Sequence, residues 1–234
     1  MATTDANRPE GKKSAPRRTA SKEVRRSQLI DATINSIAKH GIAGTTMSTV
    51  TEFAGLSIGI VNFHFKSKQN LLDETLMHLA REHHDHWWKY YRDAGLNAPE
   101  KLLAIVDAHF HPRICTRKKI AVWYAFYGEA GRRARYRDLV DEIDDERFDV
   151  SQALCQEIID DGPHYGPPAT QIAKTLEGLY DGICLNILMY PDQFSRDQAK
   201  AQIRAYLASV FPGNIDMPIF DEDDVRGAQN RGSG

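Results

Sequence analysis

The sequence predicts an all-α protein, with a short three-helix front module and a larger helical body. Three observations carry this. Apolar residues recur at spacings of three and four along most of the chain. Short β-branched runs alternating with period two, the mark of strands, do not occur. Glycine and proline cluster between the periodic stretches.

The elements follow in order. Residues 1–20 combine Pro, Gly, Ser and Lys/Arg with almost no large apolar side chain, which predicts a disordered basic arm. Leu29, Ile30, Ile34, Ile37 and Ala38 predict a helix over 21–40 that stops at Gly41. Two short helices follow over 46–54 and 57–65; Val50, Phe53 and Ala54 face inward in the first, and Ser57 is placed to cap the second. A long helix over 71–91 carries Leu72, Leu76, Leu79, His83, Trp87 and Tyr90 on one stripe. Further helices fit 99–110, 117–131, 136–159, 170–189 and 195–211, punctuated by Pro112, the Gly162–Pro168 cluster and Pro191. The stretch 213–234 is polar and acidic, with Asp221 to Asp224, and reads as a flexible tail. The expected divisions are therefore a basic arm (1–20), a three-helix front module (21–68), a larger helical body (69–212) and the tail (213–234).

Charge is unevenly placed. Residues 1–70 hold 11 Lys/Arg against 5 Asp/Glu, and the remainder holds 19 against 27. A basic front on an acidic body suits an end that meets a polyanion. The longest apolar run, 120–127, is far too short to span a bilayer, and no apolar segment follows the basic N-terminus as in a signal peptide, so a cytoplasmic protein with no membrane partner is expected. Cys115, Cys184 and Cys155 are odd in number and far apart, which fits reduced, packed helix cysteines rather than a disulfide framework.

The two short helices around Gly55-Leu56 have the spacing of a helix-turn-helix, in which the second helix enters the DNA major groove. The residues resemble the TetR family of bacterial transcriptional regulators. The resemblance runs through Gln28 to Thr33, His40-Gly41, Gly44-Thr45-Thr46, Ala54-Gly55-Leu56-Ser57, the run Gly59 to Lys68, and Leu71-Leu72. Thr49 stands where family members often carry an acidic residue, and Tyr is often found near Asn62 and His64. On this reading Thr46 and Ser57 offer hydroxyls at helix N-termini, where phosphate is favoured, although each alone is equally a helix cap. Gly59 lets the recognition helix lie close to the bases, Asn62 pairs with adenine and Ile58 meets a thymine methyl. Phe63 shares that helix, and His64 and Lys68 are placed for phosphate oxygens. Arg25 and Arg26 extend the basic arm along the backbone or into the minor groove.

Two motifs compete with this reading. Gly55-Leu56-Ser57-Ile58-Gly59 matches the G-x-S-x-G nucleophile elbow, but that chemistry needs a strand leading into the serine, and a helix is expected there. No catalytic residue is therefore expected. His83, His84 and His86, with His109 and His111 further on, suggest a metal, but zinc sites usually need ligands at i, i+4 on a helix plus a third from another segment, whereas His83 and His86 lie three apart, and polar-face histidines account for them. No metal or cofactor is expected.

In the body, the runs Ala121 to Tyr127 and Leu179 to Ile183 resemble the C-terminal domain of BetI-type repressors, which control the choline-to-glycine-betaine pathway. The resemblance implies a repressor released from double-stranded operator DNA by a small-molecule inducer. The residues agree in part. Trp87, Tyr91, Trp123, Tyr127 and Tyr180 lie on three helices and converge on one pocket if their faces meet; aromatic faces attract quaternary ammonium. Glu129 or Asp181 adds charge. Leu176, Leu179 and Ile183 form one stripe, and Ile203, Tyr206, Leu207 and Val210 another. With Gly178 and Gly182 allowing close approach, these two helices are the expected homodimer interface, as the family resemblance implies. Remaining alternatives are a family regulator of an unrelated ligand, repressor or activator, and a helical small-molecule or metal-binding protein without DNA binding.

Overall fold

The computed structural model describes residues 21–219. The basic arm expected over 1–20 and the tail from 220 onward lie outside the described residues. Nine helices and no strand occur among the described residues: α1 Lys22–Gly44, α2 Met47–Ala54, α3 Ile58–His64, α4 Lys68–Tyr91, α5 Ala98–His109, α6 Arg117–Gly128, α7 Arg133–Asp160, α8 Ala169–Met189 and α9 Arg196–Val210.

Local chemistry sets most boundaries. Ser21, Ser67 and Thr116 each accept a backbone N–H from three residues on, so α1, α4 and α6 begin there. Capping boxes start α2 at Thr46/Thr49, α5 at Asn97/Glu100 and α9 at Ser195/Gln198. Thr49, where an acidic residue is frequent in the family, thus serves as the reciprocal cap with its hydroxyl. Gly41 has φ 68°, which breaks α1 where a stop is expected; one more turn follows because buried Ile42 anchors it. Gly55 takes the left-handed conformation (φ 63°) that ends α2 and turns the chain into α3. The tail begins later than expected, since Ile215 is buried in the body core.

The apolar side chains form two cores. The front core joins Leu29, Ile34, Val50, Val61 and Phe65 to Leu71–Leu79 of α4, Val122 and Phe126 of α6, and Tyr136 and Val140 of α7. The rear core joins Trp87, α5, Ile120, the second half of α7, and α8 and α9. The front core is therefore not confined to residues 21–68. Phe53, expected inside, is instead 40% exposed, with the Lys39 ammonium 5.8 Å from its ring centre. The helix surface it occupies faces away from α1's apolar stripe, which Val50 and Ala54 already cover. No helix among the described residues is long and apolar enough to cross a membrane.

The seam between the cores crosses three helices. It falls between Ala80 and Trp87 on α4, Ile120 and Val122 on α6, and Val140 and Val150 on α7. On α4 and α7 mostly polar residues occupy it, and on α6 it is Ala121.

Candidate functional site

At the front, α3 is seven residues long and holds to the molecule through Val61, with Phe65 just beyond it. Its other face is open: Ser57, Ile58, Gly59, Asn62 and Phe63 are all exposed, with Phe63 73% exposed. Ser57 precedes the helix yet makes no side-chain cap bond, so its hydroxyl is available beside the helix N-terminus. These five residues come together on one surface.

The other expected DNA contacts are placed differently. Thr46 accepts the Thr49 N–H at 3.1 Å, so its hydroxyl is engaged as a cap. Lys68 Nζ donates to the carbonyl oxygen of Ile42 at 2.7 Å, which ties α4 to the end of α1. Arg26 pairs with Glu74 at 2.7 Å and lies 5.0 Å from the centre of the Phe65 ring. Arg25 donates to Gln28 at 2.9 Å. His64 is half-buried, its Nδ1 without a partner among the described residues. Lys68 and Arg26 each lie beside an acceptor that another helix presents, whereas Arg25 bonds within α1. The G-x-S-x-G segment is the α2–α3 turn, with no sheet beneath it among the described residues.

The second site is a cavity of about 210 Å³ in the seam between the cores. From α4 come Ala80 and His83; from α5 and the connection after it come His109, Ile114 and Cys115. From α6 come Ile120, Trp123, Tyr124 and Tyr127; from α7, Asp144 and Arg147; from α8, Glu177, Asp181 and Cys184. The three rings of α6 stand on one helical face, and Trp123 stacks on Tyr127 with centroids 5.8 Å apart.

Three of the five expected aromatic groups are not in the wall. Trp87 is buried in the rear core, one turn beyond His83, where the stripe of α4 has passed out of the seam. Tyr91 packs against the same core and beside Trp88. Tyr180 is a support rather than a lining group; it lies behind His109, stacked at 4.3 Å, because α8 turns that face inward. Glu129 caps the end of α6 and is not in the wall, whereas Asp181 is.

The electrostatics favour a cation. Arg147 Nε donates to Glu177 at 3.2 Å, with a second, shorter contact from Arg147 Nη2 to the other carboxylate oxygen. Burial opposes the guanidinium charge, but Glu177 more than compensates and keeps it protonated. Asp144 lies 4.0 Å from that arginine, and no basic side chain among the described residues pairs with Asp181. Burial, first, and the neighbouring carboxylates push both aspartates above the usual carboxylate range. Burial and Asp181 raise the Tyr124 phenol to about 12, and its hydroxyl donates to the Asp181 carbonyl oxygen at 2.7 Å. The histidines add no charge: burial lowers His83 well below 6.5 and His109 to about 3. Three carboxylates thus face one arginine.

The sequence offered a signal for these groups. Asp144 and Arg147 fall on the α7 stripe of Val140, Ser151 and Leu154, where apolar residues are the rule. Polar residues interrupting an apolar stripe at the same level on several helices mark a wet cavity. His83 faces His109 across helices with ring centres 4.9 Å apart, and His86 faces His111 at 4.3 Å. No group of three metal-ligating side chains occurs among the described residues.

The expected dimer stripes divide in two. Leu176, Ile183, Ile203 and Leu207 are buried inside the protomer, where α8 and α9 pack on α7 and α5. They are core residues, not interface residues. Leu179, Tyr206 and Val210 are half-buried at the edge of that core. Gly178 and Gly182 are exposed, with open space where a Cβ would stand, and Leu185 and Met189 continue the same face.

Comparison with known proteins gives the family. Residues 29–75 match the bacterial regulatory proteins of the tetR family, and residues 98–212 match the BetI-type transcriptional repressor C-terminal domain. The HTH-type transcriptional regulator BetI of Paraburkholderia xenovorans is 30% identical over 189 residues, covering 81% of this chain and 94% of that protein. BetI of Burkholderia thailandensis is 34% identical over 167 residues, covering 70% and 82%. Among solved structures, a transcriptional regulator from Pseudomonas aeruginosa has a TM-score of 0.72 at 23% identity, covering 83% of this chain and 93% of that one. A transcriptional regulator from Saccharomonospora viridis in complex with choline has a TM-score of 0.69 at 19% identity, covering 79% and 96%. The front helices, the seamed body and these relatives together place the chain in the TetR family of bacterial transcriptional regulators, with a C-terminal domain of the BetI type.

Proposed function

We propose that the protein is a homodimeric repressor that leaves a pseudo-palindromic operator when a small quaternary-ammonium ligand, choline-like in size and charge, fills the seam cavity. The observation that carries this is the pairing of three aromatic rings, Trp123, Tyr124 and Tyr127, with the carboxylates Asp144 and Asp181 in one small space. Each ring facing a desolvated cation contributes roughly 0.5–2 kcal/mol. A volume of about 210 Å³ lies below the roughly 300–1,000 Å³ of pockets for larger ligands, which favours a small metabolite.

The DNA end is the open face of α3. Asn62 reads a base, Ile58 and Phe63 make apolar contacts, Gly59 permits close approach and the Ser57 hydroxyl meets a phosphate. Lys68 and Thr46 hold the module in shape, and Arg25, Arg26 and His64 reach the backbone with their spare donors as the DNA seats. The dimer forms through the face of Gly178, Gly182, Leu185 and Met189, flanked by Leu179, Tyr206 and Val210. Because the seam crosses α4, a ligand there changes how the two cores meet, and only a difference in its affinity for the two arrangements can release DNA.

The test is calorimetry with choline, betaine aldehyde and glycine betaine, followed by a gel shift on DNA from upstream of the protein's own gene. Heat and release with one of them are expected, and Trp123→Ala should abolish release while leaving operator binding intact. No heat and no release with any of the three discards the quaternary-ammonium reading.

A further inference from the structure

The cavity also holds two thiols from separate elements. Cys115 lies in the connection between α5 and α6, directly before the cap residue Thr116. Cys184 lies on α8, with its Sγ 3.5 Å from Nε2 of His109. Both line the wall of this one small cavity, and each thiol acts on the ionisation of the other. The neighbouring Cys184 thiol, with help from the Arg196 guanidinium, lowers Cys115 below the ordinary thiol range, whereas Cys115 and burial hold Cys184 protonated. One sulfur is therefore primed as a nucleophile and the other as the resolving thiol. The cavity opens to solvent beside Tyr127 and Asp181, which are both exposed, so a small oxidant has a path to the pair.

We propose that Cys115 and Cys184 are a modification site, which a peroxide converts to an intramolecular disulfide across the ligand cavity. The Cys115 thiolate attacks one peroxide oxygen; the S–O bond forms, the O–O bond breaks, and the departing hydroxide takes a proton to become water. The sulfur of Cys184 then attacks the Cys115 sulfenic acid. The S–S bond forms, the S–O bond breaks, and the leaving hydroxide takes the Cys184 proton as a second water. The sulfur pair loses two electrons and the peroxide gains them. The bond ties the start of α6 to α8, so the wall that carries Trp123 can no longer move against the wall that carries Asp181. This chemistry is independent of which ligand the cavity takes.

The test exposes the full-length protein to hydrogen peroxide and measures free thiols, intact mass and non-reduced peptides. Two of the three thiols should disappear, with loss of two hydrogens, a peptide linking Cys115 to Cys184, and full recovery in dithiothreitol. Cys155→Ser should leave this result unchanged, since burial raises that thiol to about 12 and it lies outside the cavity wall. Cys184→Ser should stop at a Cys115 sulfenic acid that dimedone traps, which the unsubstituted protein does not accumulate. Retention of all three thiols, a link between two copies, a bond to Cys155, or accumulation of an unresolved sulfenic or sulfinic acid in the unsubstituted protein overturns the proposal.

Discussion

Lys68 and Ile42 join the two ends of the front module. The ammonium group in the first turn of α4 donates to the carbonyl oxygen of Ile42 at 2.7 Å and reaches Ala43 at 3.5 Å. The helix that lines the seam cavity thus also caps the last turn of α1, just beyond its break at Gly41.

This placement separates Lys68 from Asn62. Lys68→Met should lower stability by about 1 kcal/mol, the scale of a lost hydrogen bond, and leave the salt dependence of operator binding close to unchanged. Asn62→Ala should leave the melting temperature unchanged, because the side chain is exposed, yet cost ~1–3 kcal/mol in preference for operator over random DNA. Thermal melts and anisotropy titrations at several salt concentrations check both. A salt slope that drops by one phosphate contact in Lys68→Met would return that lysine to the DNA backbone.

Arg147 is the only cation in the cavity wall among the described residues, and its removal strands Glu177. Arg147→Met should destabilise the fold by roughly 3 kcal/mol, because breaking one side of a largely buried pair leaves the other uncompensated. The double variant Arg147→Met with Glu177→Leu should recover much of that loss. Chemical denaturation of the three proteins measures it; equal losses in the single and double variants would show that packing, not charge, sets the cost.

The buried histidines give acid sensitivity with a definite sign. Burial lowers His109 from 6.5 to about 3. Between those values the unfolded chain binds a proton that the folded chain refuses, so stability falls as pH falls through this window. One such site contributes up to about 1.4 kcal/mol per pH unit. His109→Phe should flatten the dependence between pH 6 and 5, read from melting temperatures against pH. The raised aspartates act oppositely on stability, because their folded forms hold protons longer than the unfolded chain does. For a cationic ligand they matter in another way: affinity should rise with pH as Asp144 and Asp181 ionise.

The open glycine face of α8 gives the assembly prediction. A Cβ at the exposed Gly182 meets nothing within 4 Å, so Gly182→Glu should leave folding unaffected. Sedimentation should nevertheless show monomers, and specific operator binding should be lost with the second half-site. A monomer for the unsubstituted protein at micromolar concentration would remove the dimer from the proposal.

Much of this was legible in the residues. The helix positions were, because caps such as Ser67 and Asn97 and breaks such as Gly41 and Gly55 act within a few residues. The open face of α3 was legible for the same reason. The cavity wall was only half legible. Trp87 and His83 share one stripe of α4, and periodicity does not tell which level of a stripe meets a core and which meets a polar seam. That depends on the partners α7 and α8 bring from far along the chain. Leu176 and Ile183 likewise share a helix with Gly178 and Gly182. Which face turns inward is decided by α7, not by α8 itself.

The front core closes only with help from α4, α6 and α7, and this limits how the protein can be taken apart. A fragment ending at residue 68 would leave Leu29, Ile34 and Val61 without Leu72, Val122 and Phe126 to cover them. The DNA-reading end is therefore not a portable part. A chimaera that grafts it onto another body must carry the first half of α4, the middle of α6 and the start of α7. Inheritance of operator preference and inheritance of ligand preference are bound together through those three helices.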